Sequence, residues 1–118
     1  MKKEQRQVES LYELLKEQAE IEKTIASLPR GYISVKRISG HTYSYRQWRE
    51  GSKIISEYVP DSIINSVKRK IAARKEHEAL LKAVKKDLRS ATRKVLKAGL
   101  LSEEEIAELK EKAVKEVA

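Results

Sequence analysis

The spacing of apolar residues changes twice along the chain, and each change marks a change of secondary structure. In residues 9–28 apolar side chains recur at steps of three and four, which predicts an amphipathic helix that ends before Pro29. Residues 31–59 instead hold three short stretches of β-branched and aromatic residues, separated by turns at Gly40 and Gly51. Such stretches predict a three-stranded antiparallel meander.

Helical spacing returns after the meander. A long helix is predicted over residues 62–98, with Asp61 as its N-cap and Gly99 as the residue that ends it. Ser102 and Glu105 have the spacing of a capping box, so a last helix is expected to begin there. The chain is therefore expected to be an α+β protein, mostly helical, ordered helix, meander, long helix, short C-terminal helix. We assign it to a single domain, 1–118, with four segments: 1–29, 30–59, 60–98 and 99–118.

The apolar stripe of the first helix has the spacing of a coiled-coil seam with one polar position. It comprises Leu11, Leu14, Gln18, Ile21, Ile25 and Leu28. Two interpretations stay open. The helix packs on its own domain, or it pairs with a second copy in a homodimer in which Gln18 helps to fix the register. In the long helix the apolar stripe is interrupted over residues 72–78, where a bend or a rotation of the apolar face is expected.

Strand geometry sorts the side chains of the meander onto two faces, because alternate residues of a strand point to opposite sides. The turns are placed at Ser39-Gly40 or Gly40-His41 and at Glu50-Gly51. One face then collects Tyr32, Ser34, Lys36, Tyr43, Tyr45, Gln47, Ile54, Ser56 and Tyr58. The other collects Ile33, Val35, Arg37, Thr42, Ser44, Arg46, Trp48, Lys53, Ile55, Glu57 and Val59. The second face has more aliphatic residues and is favoured as the core side, and either choice leaves basic groups on the exposed face.

The composition removes several classes of protein from consideration. The 118 residues include no Cys, so disulfides and thiolate metal sites are excluded. No apolar stretch approaches the ~20 residues that span a bilayer, and the first ten residues lack the hydrophobic region of a signal peptide, so a cytoplasmic protein is expected. Only His41 and His77 are present, and no phosphate-binding glycine loop, nucleophile elbow or metal-ligand motif occurs. We therefore expect a non-catalytic protein without a metal or cofactor.

The formal net charge of +8 is concentrated in the middle of the chain. Residues 30–59 have six basic and two acidic side chains, and residues 60–98 have twelve and four, whereas both ends are slightly acidic. In the meander basic residues surround aromatic ones, which suits insertion into a groove or stacking on unpaired bases. These candidate nucleic-acid-binding residues are Lys36, Arg37, Tyr43, Tyr45, Arg46, Trp48, Arg49 and Lys53. The alternative is that the aromatic residues are ordinary strand formers on which arginine packs.

A second set of candidate binding residues lies along one side of the long helix. Its members recur at intervals of seven residues or extend the same side: Lys68, Lys75, Lys82, Lys86, Arg89 and Arg93. Like charges at this spacing repel each other, so they indicate a polyanion that neutralises them, such as a phosphate backbone. The glutamate-rich last helix is an equal alternative as the neutralising element.

Residues 28–59 resemble a motif of small uncharacterised bacterial, archaeal and phage proteins. The motif reads LP-x-G-x-I-x-x-K-x-I-x-G-x-x-Y-x-Y-x-Q-x-R-x-G-x-K-x-x-S-x-Y-V, followed by a basic helix, and the sequence here is LPRGYISVKRISGHTYSYRQWREGSKIISEYV. Three strands followed by a helix are also similar to the arm-type DNA-binding domains of tyrosine integrases, which lay a three-stranded sheet in the major groove. The long flanking helices have no counterpart there. That resemblance implies groove-facing roles for Lys36, Arg37, Tyr45, Arg46 and Lys53.

The sequence as a whole favours a non-catalytic nucleic-acid-binding module, with DNA favoured over RNA. The meander and the basic helix would supply the contacts, and the first helix would supply a dimer interface if the seam pairs with a second copy. The alternative is a structural or inhibitory protein-binding module, such as a small regulator of a phage or mobile element that docks on an acidic protein surface.

Overall fold

The computed structural model describes residues 3–118, and its elements follow the predicted order. Within this range they are α1 (Lys3–Ala26), β1 (Tyr32–Ile38), β2 (His41–Glu50), β3 (Lys53–Val59), α2 (Ile64–Lys97) and α3 (Glu103–Val117). The prediction of a mostly helical α+β fold is therefore confirmed. Residues 1 and 2 of the predicted first segment lie outside the described residues.

The chain divides into two compact units. Unit 1 comprises the residues up to Ile25 together with His77–Ala118, and unit 2 comprises Ala26–Glu76. The boundary inside α2 falls within residues 72–78, where the apolar stripe of the sequence is interrupted. The assignment of the whole chain to a single domain stays a prediction.

Unit 1 has a core built from all three helices. Its buried apolar residues are Leu11, Leu15 and Ile21 of α1, Val84, Leu88 and Val95 of α2, and Ala113 of α3. Leu11 has no exposed surface, and Gln18, the polar position of the stripe, is also buried. Of the predicted stripe, Leu11, Gln18 and Ile21 are thus buried within unit 1, whereas Leu14 and Ile25 are half-buried and Leu28 lies beyond α1 in unit 2. The homodimer stays a prediction.

The C-terminal end of α2 is closed by a Schellman motif. Gly99 has a φ of 68°, which a glycine adopts without a steric penalty. Its amide donates to the carbonyl of Leu96, and the amide of Leu100 donates to the carbonyl of Val95, both at 3.1 Å. The predicted role of Gly99 is confirmed.

The two predicted helix starts have different outcomes. The capping box of α3 is confirmed, because the Ser102 hydroxyl accepts from the Glu105 amide at 3.1 Å and the Glu105 carboxylate accepts from the Ser102 amide at 3.0 Å. The start of α2 lies at Ile64, two residues after the predicted one. A turn precedes it, in which the Ile63 amide donates to the carbonyl of Pro60 at 3.1 Å. Asp61 lies within this turn and is not the N-cap.

Unit 2 contains the sheet, whose strands lie in the order β1-β2-β3. Ile38 pairs with His41, so the first turn is Ser39-Gly40, one of the two predicted positions. Glu50 pairs with Lys53, which places the second turn at Gly51-Ser52 and not at Glu50-Gly51. This correction moves each pairing partner by two residues, so every side chain stays on its predicted face.

Among the described residues of the sheet, one is buried. Val59, at the end of β3, is 2% exposed and lies on the face that has more aliphatic residues, but Val35 on the same face is 59% exposed, so the choice of core side stays a prediction. Ile71, in the part of α2 that belongs to this unit, is also buried. Arg74 of the same helical segment donates to the carbonyl of Leu28 at 2.6 Å and so ties α2 to the residues that precede β1.

Candidate nucleic-acid interface

The strand register gives the sheet two faces of different charge. The tyrosine face comprises Tyr32, Ser34, Lys36, Ile38, His41, Tyr43, Tyr45, Gln47, Arg49, Ile54, Ser56 and Tyr58. The arginine face comprises Ile33, Val35, Arg37, Thr42, Ser44, Arg46, Trp48, Glu50, Lys53, Ile55, Glu57 and Val59. Both carboxylates of the meander therefore lie on the arginine face. The tyrosine face has cationic side chains and no acidic ones.

Three tyrosines form a ring cluster at the centre of the tyrosine face. Tyr58 lies directly opposite Tyr45 in the register, and their ring centroids are 5.9 Å apart at an interplanar angle of 66°. Tyr43 lies on β2, two residues before Tyr45, and its ring centroid is 6.3 Å from that of Tyr58. The ammonium nitrogen of Lys36 lies 4.9 Å from the centroid of Tyr45. Such edge-to-face and cation–π contacts fix ring orientation, so the cluster is held in one arrangement.

The tyrosine face is also accessible. Tyr58 is 52% exposed and Tyr32 is 50% exposed. Between them lies Gln47, whose amide nitrogen is 3.4 Å from the hydroxyl oxygen of Ser56. Arg49 is exposed, and among residues 3–118 no carboxylate lies within 4.0 Å of it. A ligand that reaches this face would therefore meet aromatic rings, an amide and cations without acidic competition.

Two residues of the arginine face, Arg46 and Trp48, make their polar contacts within the protein, whereas Arg37 and Lys53 of the same face are exposed. Arg46 lies with its guanidinium carbon 3.8 Å from the ring centroid of Trp48, donates to the carbonyl of Arg30 at 2.7 Å and approaches Glu57 at 3.8 Å. The Trp48 indole in turn donates to the carboxylate of Glu50 at 3.1 Å. Arg46 and Trp48 thus stabilise the sheet, as the alternative interpretation of the aromatic residues expects.

The eight predicted binding residues of the meander are divided equally between the two faces. The tyrosine face has Lys36, Tyr43, Tyr45 and Arg49, and the arginine face has Arg37, Arg46, Trp48 and Lys53. The five residues implied by the likeness to integrase arm domains fall on both faces as well, so no single groove could contact all of them. Tyr32 and Tyr58 were not among the predicted residues. The position of Tyr58 opposite Tyr45 in the register is the signal that could have identified it.

The six predicted residues of α2 are all exposed. Lys68 and Lys75 lie in unit 2, and Lys82, Lys86, Arg89 and Arg93 lie in unit 1. Within residues 3–118 none of the six has a carboxylate within 4.0 Å. The α3 carboxylate that does form an ion pair is Glu116, at 3.9 Å from Lys16 of α1. The glutamates of α3 therefore do not pair directly with these cations.

A groove in unit 1 places some of the same cations beside apolar side chains. Its floor includes Leu15, Leu88, Leu96 and Ile106, with Gln18 and Thr92 beside them, and its cationic lining residues are Lys85, Arg89, Arg93 and Lys110. No carboxylate lines this groove. The groove thus places an apolar surface beside positive charge.

The described part of the chain also has features that bear on membrane and metal binding. Within residues 3–118 no helix has both the length and the apolar character needed to cross a membrane. In the same range no three His, Asp or Glu side chains converge as they would around a metal ion.

Comparison with known proteins assigns most of the N-terminal half of the chain to a family. A family model described as a domain of unknown function (DUF6788) matches residues 3–69, which is more than half of the chain. The matched range takes in α1, the whole sheet and the start of α2. No curated protein and no solved structure shows a significant match. The family match fits the resemblance of residues 28–59 to uncharacterised proteins and does not bear on the integrase likeness.

Proposed function

The chain belongs to the DUF6788 family, and from that premise we propose that it is a non-catalytic nucleic-acid-binding module whose main contact surface is the tyrosine face. The observation that carries this proposal is the charge difference between the two faces of the sheet. Lys36 and Arg49 stand among exposed aromatic residues with no carboxylate on their face, whereas Glu50 and Glu57 lie on the opposite face. Uncompensated cations beside aromatic rings are what a phosphate backbone and its bases require.

The cations of α2 support the same proposal. Their mutual repulsion is not relieved by direct ion pairs within residues 3–118, so a polyanion would relieve it and release condensed counterions. We propose DNA as the favoured nucleic acid and the cytoplasm as the location.

The proposal is tested by titrating labelled oligonucleotides, duplex and single-stranded, at two ionic strengths. We expect affinity to fall steeply between about 50 mM and 200 mM salt, because each neutralised phosphate adds to the salt dependence. Arg49→Glu should weaken binding strongly, and Lys53→Glu on the arginine face is its matched control. Equal losses in the two variants would place the contacts elsewhere, and an absence of binding at low salt would refute the proposal.

The second candidate function is docking on an acidic protein surface, and the groove of unit 1 favours it. An apolar floor beside four cations and no carboxylates matches the apolar and acidic sides of an amphipathic helix. A synthetic acidic amphipathic peptide should then bind the wild-type protein and should bind the Arg93→Glu variant much more weakly. An oligonucleotide should not displace the peptide. Displacement by the oligonucleotide would assign the groove cations to the first function.

A homodimer through α1 is a separate proposal. Leu11 is enclosed by unit 1, so a dimer interface would have to use side chains of α1 that remain exposed. Light scattering decides between a mass near 13.6 kDa and twice that value.

A further inference from the structure

We propose that the tyrosine face binds unpaired nucleotides by stacking bases on Tyr58 and Tyr32, and that it does not enter the groove of a duplex. This inference rests on the proposed function and specifies its ligand. The shared chemistry is a single strand of DNA or RNA, in which the base rings are free to leave their own stack.

Tyr58 has the properties of a preorganised stacking residue. Its ring is held by Tyr45 and Tyr43, at centroid distances of 5.9 Å and 6.3 Å, and yet the residue is 52% exposed. A ring that is already fixed loses little conformational freedom when a base stacks on it. Stacking of one base on an aromatic side chain raises affinity by roughly 5-fold to 150-fold.

Tyr32 offers a second stacking position at a suitable distance. It lies on β1 and Tyr58 lies on β3, and their β2 partners, Gln47 and Tyr45, are two residues apart. Strand spacing of about 4.8 Å and a rise of about 3.4 Å per residue put the two Cα atoms roughly 12 Å apart. This distance is too long for neighbouring bases in one stack and suits two bases of an extended strand. The amide of Gln47 lies between them, where it can bond the edge of an intervening base.

The cations of the tyrosine face lie toward its two ends. Arg49 is six residues along β2 from Tyr43, the partner of Lys36, so the two cations are roughly 20 Å apart along the strand direction. A single strand lying along β2 would meet a cation at each end and aromatic rings between them. A duplex would present its phosphates to these rings, because its own bases are stacked and paired and its grooves are read by long polar side chains.

The experiment compares four fluorescein-labelled probes of about 12 nucleotides by anisotropy at low salt: oligo(dT), oligo(U), an abasic DNA strand and a mixed-sequence duplex. The abasic strand keeps the phosphates and lacks the bases. We expect oligo(dT) to bind at least about 10-fold more tightly than the abasic strand and than the duplex. Oligo(U) shows whether the 2′-hydroxyl is accepted. Equal affinities for oligo(dT), the abasic strand and the duplex would overturn this inference and leave the proposed function standing, whereas no binding to any probe would remove both.

Variants of Tyr58 assign the stacking to this face. Tyr58→Ala should weaken oligo(dT) binding by about 5-fold or more, and Tyr58→Phe should bind within about 2-fold of the wild type, because it keeps the ring. If Tyr58→Ala does not fold, as circular dichroism would show, Tyr32→Ala provides the same comparison with Tyr32→Phe. Alanine variants that bind oligo(dT) as the wild type does would show that the bases do not stack here.

Discussion

The guanidinium of Arg46 lies 3.8 Å from the ring centroid of Trp48 and so covers one side of the indole. The same side chain donates to the carbonyl of Arg30 and is only 15% exposed. Arg49, three residues further along the strand, points to the opposite face and is exposed. Two arginines of one strand therefore have different roles: one stabilises the sheet, and the other is available to a ligand.

Arg46→Ala should lower the free energy of unfolding by about 1–3 kcal/mol, because it removes a cation–π contact and leaves the carbonyl of Arg30 without its donor. The ion pair with Glu57 contributes little, since Glu57 is exposed. Arg49→Ala should change stability by less than about 0.5 kcal/mol and should weaken nucleic-acid binding. Urea denaturation measures the first effect and oligonucleotide titration the second. Similar stability losses in both variants would contradict this division.

Gly31 should tolerate no side chain. Its φ is 105°, and a Cβ built on it would collide with the carbonyl oxygen of Gln47 and approach the Cβ of Trp48 to 3.1 Å. Gly31→Ala should therefore cost more than about 2 kcal/mol, through backbone strain together with displacement of β2. Gly51→Ala is the matched control, because its φ is also positive, at 61°, and nothing lies within 4 Å of its Cβ position. Denaturant midpoints that fall equally in the two variants would show that the φ value alone matters.

Ser39 occupies a position that suits another residue better. It has a φ of 51°, and Gly40 follows with a φ of 81°, so the two form the centre of a type I′ turn. Asparagine is strongly preferred at the first central position of such a turn. Ser39→Asn should therefore raise the free energy of unfolding by up to about 1 kcal/mol. Ser52→Asn in the second turn is the control, because Ser52 has no positive φ. A thermal scan in which both variants gain equally would rule out the turn geometry as the cause.

The parts of the fold that depend on neighbouring residues could be predicted from the sequence. The faces of the sheet follow from the two-residue period of strands, and the capping box at Ser102 and Glu105 follows from a spacing of three residues. The partner of the α1 stripe could not be predicted, since packing within the chain and packing against a second copy produce the same heptad spacing. Burial of Leu11 beside residues of α2 and α3 shows the packing within the chain, and the homodimer stays a prediction.

For the candidate site, too, local patterns predicted which residues are present and did not predict their contacts. The sequence identified the basic and aromatic residues of the meander, and it did not indicate which cations are already used within the protein. Arg46 is occupied because the carbonyl of Arg30, which precedes β1, comes within 2.7 Å of it. That contact depends on how the chain enters the sheet, and no residue pattern encodes it. Arg49 is the same type of residue on the same strand, but its position in the register places it on the other face of the sheet, away from that carbonyl.

The hydroxyl of Tyr12 is buried beside α3, close to the carboxylate of Glu116. Ammonium groups of Lys16 and Lys112 lie 5.6 Å and 5.7 Å from its ring centroid. Burial raises the pKa of Tyr12 to about 12, and the carboxylates of Glu116 and Glu13 act in the same direction. The folded protein therefore keeps this proton to a higher pH than the unfolded chain, in which the pKa is 10.0.

The stability that Tyr12 contributes is fully present below pH 10 and should be lost as the pH rises toward 12, because unfolding then releases a proton that the folded state retains. The measurement is a difference between two proteins, so that the pH response of the rest of the chain cancels. Tyr12→Phe removes the titrating group, and its Tm should fall less steeply than that of the wild type between about pH 10 and pH 12. Parallel Tm curves for the two proteins across this range would mean that the phenol titrates alike in the folded and unfolded chains.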